Sequence, residues 1–416
     1  MTVPLSPAQQ AALDHVTAYA SARQTGASKI LEEIQAMCDI SDTQMLEVMD
    51  GIRRYARIAL HFHPDRLDAV GRSVAKGLLT GGMYKSQFET GISNGSVSAY
   101  PGGQRDLWEQ QLFGGAYHGG DRDSADRLGD GTEGGKQPDS GQGEHGGKVQ
   151  NATANTVSCD AGYETDGNGG LDSCGSYGDE RPKYGALDLM LHPDGPSPRF
   201  GSCYLLLKPE VSARATFTYL DSHQLPDERG TYRAFDSVLA AILRDAFLGD
   251  YAIGEHGLTP PRFVAHVRER ISAPIAERFS QKPARNLNHY VEAQVHGPVM
   301  LARDAEALVA DPAFQGTPTG ALLEQLCAAF RLTLHWHGGF AMAASAVPTD
   351  FRGRAMPSLA ARIAQNGRIN ARTIGEAAAE VRRHPERWQD RGEPAEVLQQ
   401  LKLLWHVLVR FGEAAP

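Results

Sequence analysis

No apolar run in the 416-residue chain approaches the roughly 18 residues of a membrane span. The first residues, MTVPLSPAQQAALDHV, also lack the basic segment and apolar stretch of a signal peptide. Neither a membrane segment nor an export signal is therefore expected. Cysteine is scarce: Cys38, Cys159, Cys174, Cys203 and Cys327 form no close pair. That excludes a disulfide framework and suggests a reducing compartment. Cys159 and Cys174 could pair or bind metal, although no His or Cys lies at a zinc-type spacing beside them. Excess positive charge is missing too, since 41 Lys and Arg stand against 50 Asp and Glu. The net charge of −9 argues against general nucleic-acid binding and fits weakly with a partner that has a basic surface. What remains is an ordinary hydrophobic content of 41%, enough for one large domain or two of usual size.

Residues 1–56 read as helices. Ser6 can cap and Pro7 can open the first, a second runs from about Ser28 to Met37, and a third starts near Ser41 or Asp42. Pro64 stops any helix, and ARIALHFH before it can form a strand. Residues 119–180 carry few large apolar side chains among many Gly, Asp, Ser and Asn, the composition of a mobile insertion. Strands are expected at KYGALDLML, GSCYLLLK, Ala213–Thr218, YVEAQVHGPVML and LTLHWH, with helices at about 234–247 and 260–271. The chain from 354 to 416 is mostly helical. The pattern predicts an α+β fold, with a catalytic region at 57–353 between two helical segments.

Several segments have the residues for chemistry. In GGMYKSQFETGISNG, residues 81–95, the alternation of Tyr84, Ser86, Phe88 and Thr90 with Lys85, Gln87 and Glu89 predicts a strand polar on both faces. In LHFHPDR, His61 and His63 share one strand face, a spacing metal hydrolases use, with His192, His296, His335 and His337 as further candidates. Arg66 ends that segment and can grip a phosphate or carboxylate through two parallel hydrogen bonds, or form a surface ion pair. Arg181 and Lys183 place two cations beside Tyr184, which suits a pyrophosphate and a stacked ring, or a polar strand mouth. In HYVEAQVHG, Glu292, Gln294 and His296 lie on one face and Val291, Ala293 and Val295 on the other. A carboxylate in such a wall can stabilise an oxocarbenium ion while the amide orients a substrate; the alternative is the solvent face of an edge strand.

The blocks HFHPDR, YKSQFETGISNG, PGGQRDLWEQQLFGGAYH, RPKYGALDLMLHPDGPSPRFGSCYLLLKPEV and YVEAQVHGPV, with LHWHGGF and VPTDFRG later, together resemble the CteC-like family, long classed as a domain of unknown function. The resemblance spans about Arg54 to Gly353, apart from the insertion. It implies an ADP-ribosyltransferase-like core of two small packed β-sheets. It also implies a mono-ADP-ribosyltransferase that splits the nicotinamide–ribose bond of NAD and passes ADP-ribose to a threonine hydroxyl of ubiquitin, blocking ubiquitination. Bacterial members act as effectors, so the resemblance places the protein in the bacterial cytoplasm or delivered into a host cell. It is expected to be a monomer that needs NAD as co-substrate and no metal.

The transferase pattern is an arginine on an early strand, a serine or threonine motif on the next and a glutamate on a later one. Arg66, Ser86 with Thr90, and Glu292 follow that order. By the resemblance, Arg66 would hold a phosphate or the nicotinamide ribose, Ser86 and Thr90 would brace the pocket, and Glu292 would bond the ribose 2′-hydroxyl and stabilise the cationic transition state. The chain departs from the pattern in two ways. It has no Ser-Thr-Ser triplet, and Glu292-Ala293-Gln294 reverses the Gln-x-Glu order of arginine-specific members. A second mapping uses His63 and Tyr84 in place of the arginine and serine, and Glu292 serves both. Two other readings compete: a metal-dependent hydrolase built on His61 and His63, and a non-enzymatic ubiquitin- or peptide-binding module.

Overall fold

The N-terminal helices begin where their caps dictate. Ser6 Oγ accepts from the Gln9 amide at 3.3 Å while the Ser6 amide donates to Gln9 Oε1 at 3.0 Å, opening helix Pro7–Ala22. Ser41 and Gln44 repeat this box before helix Asp42–Tyr55, and helix Gln24–Cys38 lies between. The computed structural model describes residues 3–92, 99–100, 102–118, 178 and 180–414. Most of the expected insertion, with Cys159 and Cys174, lies outside the described residues, as do residues 93–95 of the polar segment.

The strands are β1 (Arg57–Phe62), β2 (Met83–Tyr84), β3 (Lys183–Asp188), β4 (Cys203–Leu207), β5 (Ala215–Tyr219), β6 (Arg229–Thr231), β7 (Tyr251–Ala252), β8 (Glu255–His256), β9 (Val291–Val295), β10 (Val299–Met300), β11 (Ala305–Ala310), β12 (Thr333–Trp336), β13 (Ala341–Ala343) and β14 (Arg368–Asn370). Eight of them form one mixed sheet in the order β12-β11-β4-β1-β3-β9-β5-β6. Neighbours are antiparallel except β11 and β12, a parallel pair joined through helix Pro318–Phe330. The α+β class therefore holds, but among the described residues one large sheet and three two-stranded ones stand where a pair of small packed sheets was expected. The reason is β1, whose backbone pairs with β3 on one side and β4 on the other, so no gap opens at the centre.

The two faces of this sheet differ. Ile58, Leu60, Leu187, Leu205, Phe217, Val291, Ala293 and Val295 join the main core with side chains of helices Gln24–Cys38, Asp42–Tyr55, Asp236–Gly249 and Pro260–Arg270. Gly185 belongs to this side, where an added Cβ would come within 2.6 Å of the Ala59 carbonyl oxygen. The opposite face has a small apolar cluster of Ala59, Tyr204, Leu206, Ala307 and Val309 beneath Ile275 and Phe279. By strand alternation it also carries His61, Tyr184, Asp188, Thr216, Thr218, Glu292 and Gln294. The polar and apolar faces expected of HYVEAQVHG are thus present, but both are buried.

Helices Met356–Ile363, Ala371–Arg383 and Pro394–Phe411 contribute Leu359, Ile374, Val381, Leu401 and Trp405 to the main core. The helical segments at both ends therefore share the core of the strands between them. Among the described residues, no helix is long and apolar enough to cross a membrane.

Candidate active site

The segment expected as a polar strand folds differently. Only Met83 and Tyr84 are extended, pairing with Met300 and Val299 of β10. Ser86 then caps a single helical turn, Gln87–Thr90: its Oγ accepts from the Glu89 amide at 3.2 Å, and the Ser86 amide donates to Glu89 Oε2 at 2.6 Å. Ser86-Gln87-Phe88-Glu89 is a capping box, a local bonding pattern that outcompetes the strand suggested by alternation. Ser86 Oγ also donates to the Gly178 carbonyl at 3.1 Å, and Thr90 Oγ1 to the Ser86 carbonyl at 3.0 Å. Both hydroxyls thus hold the turn itself.

This turn stands between two adjoining clefts. The first encloses about 860 Å³, its open mouth included, on the polar face of the sheet. Glu292 reaches it from β9, Tyr184 from β3 and His61 from β1, three strands that lie side by side. Tyr84, Ser86, Trp108 and Phe200 add to its walls. Helix Gln104–Leu112 presents Arg105, Trp108, Glu109 and Leu112 to it, the i, i+3, i+4, i+7 face of a helix. Asp221, Ser222 and His223 close the far side, in a turn bracketed by the left-handed residues Leu220 (φ 69°) and Leu225 (φ 49°). Such backbone is costly for residues with a Cβ and recurs where a site demands it.

Glu292 is fixed within the first cleft. Gln294 Nε2 donates to its Oε1 at 2.9 Å, and Ser222 is a further side-chain hydrogen-bond partner. The amide oxygen of Gln294 in turn accepts from Thr216 Oγ1 at 2.7 Å, so its orientation is set from behind. Burial, reinforced by the neighbouring Asp221 carboxylate, raises the Glu292 pKa to about 7. Asp221 is shifted down despite burial, because His223 and Tyr290 hydrogen-bond its carboxylate. One carboxyl near neutrality and one held ionised therefore stand in the same cleft.

The second cleft is lined by His63, Arg66 and Thr90, and shares His61, Tyr84, Lys85 and Gln87 with the first. Arg66 and Glu292 thus do not line a common cleft. Burial lowers the Arg66 pKa, while the adjacent Asp65 opposes that shift. His63 is buried, with Nδ1 3.4 Å from Ser202 Oγ and its ring edge-on to Trp405, and burial lowers its pKa well below the usual value.

Arg181 and Lys183, the expected pyrophosphate receiver or polar strand mouth, line neither of these two clefts. Arg181 is fully buried; it donates to Glu109 at 2.8 Å and pairs with Asp106. Lys183 Nζ donates to the Arg181 carbonyl at 3.0 Å, with Glu89 at 3.8 Å. The cause is strand alternation: Tyr184 takes the cleft side, and its hydroxyl donates to Glu109 Oε1 at 2.8 Å. The two cations anchor helix Gln104–Leu112 and the capped turn to β3. Gln294 likewise has no exposed surface and acts on Glu292.

One histidine of each H-x-H pair, His61 and His337, is engaged by backbone. His61 Nε2 accepts from the Ser197 amide at 3.4 Å and Nδ1 lies 3.3 Å from the Gly201 carbonyl, while burial pulls its pKa down to about 3. His337 Nε2 lies 2.9 Å from the Ser202 carbonyl, and Nδ1 accepts from Gly339. Among the described residues, no group of three or more His, Cys, Asp or Glu stands placed to hold a metal ion.

Over residues 57–135 and 170–411 the chain matches a family described as "Protein of unknown function (DUF3626)". The chain belongs to this family. None of the curated proteins compared with it matches. The DUF3626 region begins at β1 and continues to Phe411, so it includes every strand of the sheet and the C-terminal helices and omits the first three helices. Sequence reasoning missed Arg105, Trp108, Asp221, Ser222 and His223 as cleft residues. The helical spacing in QRDLWEQQL and the polar DSH directly after a strand were the available signals.

Proposed function

We propose that this DUF3626 protein is a mono-ADP-ribosyltransferase using NAD, with a side-chain hydroxyl as acceptor. The observation that carries the reading is Glu292: a buried carboxylate, oriented by Gln294 and Ser222, in a cleft walled by Tyr84, Trp108, Tyr184 and Phe200. Aromatic walls suit the flat cationic nicotinamide ring. An ionised carboxylate fixed beside the ribose stabilises the positive charge that develops at C1′ as nicotinamide departs. Gln294 keeps Glu292 in one orientation, so little reorganisation is needed when that charge appears.

Arg105 and Lys85 are cations that line this first cleft, and the Arg105 guanidinium lies 4.8 Å from the Tyr184 ring centroid. It can meet a phosphate of NAD there. Arg66 lines the adjoining cleft, and the proposal has it meet the far end of a dinucleotide that crosses the turn at Tyr84–Gln87. In this reading Arg66 binds cofactor at a distance from Glu292, and His63 and Tyr84 are walls.

The acceptor, a threonine of ubiquitin, comes from the CteC-like resemblance alone. The test is incubation of the protein with labelled NAD and ubiquitin, followed by mass-spectrometric mapping. A 541-Da ADP-ribosyl adduct, about the mass of NAD less nicotinamide, on a ubiquitin threonine is expected. Label on another protein would keep the chemistry and replace the acceptor, and label on a cysteine, arginine or carboxylate would overturn the hydroxyl specificity.

A further inference from the structure

We infer that His223 and Asp221 form a dyad that takes the proton from the acceptor hydroxyl; the inference rests on the transferase reading above. His223 Nδ1 lies 2.6 Å from Asp221 Oδ1, within ion-pair distance. The other oxygen of Asp221 accepts from the buried Tyr290 hydroxyl at 2.9 Å, with Arg199 at 3.9 Å. Asp221 is therefore fixed from behind, and it fixes the imidazole in turn. This is the order of a base oriented by a third group. With Nδ1 taken by Asp221, Nε2 is the ring nitrogen left to act on a ligand.

The dyad is in the right place. His223 and Asp221 line the same cleft as Glu292, and the Trp108 ring lies 5.6 Å from the imidazole. The His223 side chain is 44% exposed, so an incoming side chain can reach it, whereas Glu292 is 5% exposed at residue level. A buried carboxylate to stabilise the cation and an accessible imidazole to receive the acceptor divide the reaction between them.

The step balances as follows. The C1′–N1 bond of NAD breaks and nicotinamide leaves as a neutral molecule with the bonding pair. The acceptor oxygen forms the new C1′–O bond. Its proton passes to His223 Nε2, the imidazolium is stabilised by Asp221, and the proton is then lost to water. A hydroxyl needs this help because it is a weak nucleophile at neutral pH and its oxygen becomes cationic on attack.

The test uses the full chain with NAD in a mixture of methanol and sodium azide. Methanol must lose a proton to give the methyl riboside, whereas azide needs no base to give the glycosyl azide. His223→Gln and, separately, Asp221→Asn are expected to lower the ratio of methyl to azide product at least tenfold. An unchanged ratio in a His223→Gln protein that melts like the wild type overturns the dyad while leaving the transferase reading intact. No product of either kind from the wild type overturns both.

Discussion

In the proposed reaction, Glu292 must lose the proton it carries at mildly acidic pH before it can stabilise a cation. With its pKa raised to about 7, kcat/KM for nicotinamide release should climb roughly tenfold per unit below pH 7 and level off above it. A flat profile between about pH 5.5 and 8.5 would contradict the role. The same shift has a stability consequence. The folded protein holds the Glu292 proton that the unfolded chain releases near its ordinary value of 4.5. Stability from this group is therefore complete below that value and is lost as pH rises through about 7. Glu292→Gln cannot ionise and should be more stable than the wild type at pH 8, by on the order of 1–3 kcal/mol, with little difference at pH 5. Thermal melts at the two pH values check this. Glu292 was legible in the sequence because alternation in VEAQV gives its face directly. Its Asp221 neighbour was not, because a contact between β9 and the turn after β5 depends on strand order, which a single sequence does not reveal.

The capped turn at Ser86 shows how a local bond decides an element. Four residues are too few for periodicity to separate strand from helix. The serine and the glutamate three residues on settle it, since the turn meets two backbone donors with two side chains. Ser86→Ala should cost about 1 kcal/mol of stability through the lost cap. Because the turn divides the two clefts, NAD binding should weaken severalfold as well; a Ser86→Ala protein with wild-type melting temperature and KM would contradict this. Gly195 makes a similar point from the opposite direction. Its φ is +76°, and an added Cβ would fall 2.6 Å from His61 Nε2. Gly195→Ala should therefore destabilise the protein and displace His61 from the cleft wall, which a melt together with an activity assay would register. Helices with clear caps and alternating strands were legible. The burial of Arg181 and Lys183 was not legible, because their partners, Asp106, Glu109 and Glu89, lie some seventy to ninety residues away.

The whole sheet depends on what covers its polar face. On this face, Arg278 donates to Asp188 Oδ2 at 2.6 Å, with both side chains about 1% exposed. The segment Ile275–Ser280 is thereby bound onto β3. Removing one partner leaves a buried charge, so Arg278→Met or Asp188→Asn should each cost about 3–5 kcal/mol in a denaturant titration. A change under about 1 kcal/mol would mean that water reaches the pair. The same polar face is open at the cleft lined by Glu292, Tyr184 and the turn at Asp221–His223. The α+β class was legible in the alternation of strand and helix patterns, but the joining of eight strands through β1 was not, because pairing on both of its sides is a tertiary choice. NAD cleavage at Glu292 is the step on which the proposed function rests. The direct measurement is nicotinamide release from NAD by the full chain, wild type against Glu292→Gln, with both proteins shown to be folded. Release by the wild type and a loss of at least about a hundredfold in the variant are predicted; no release by the wild type, or equal release by both, would contradict it.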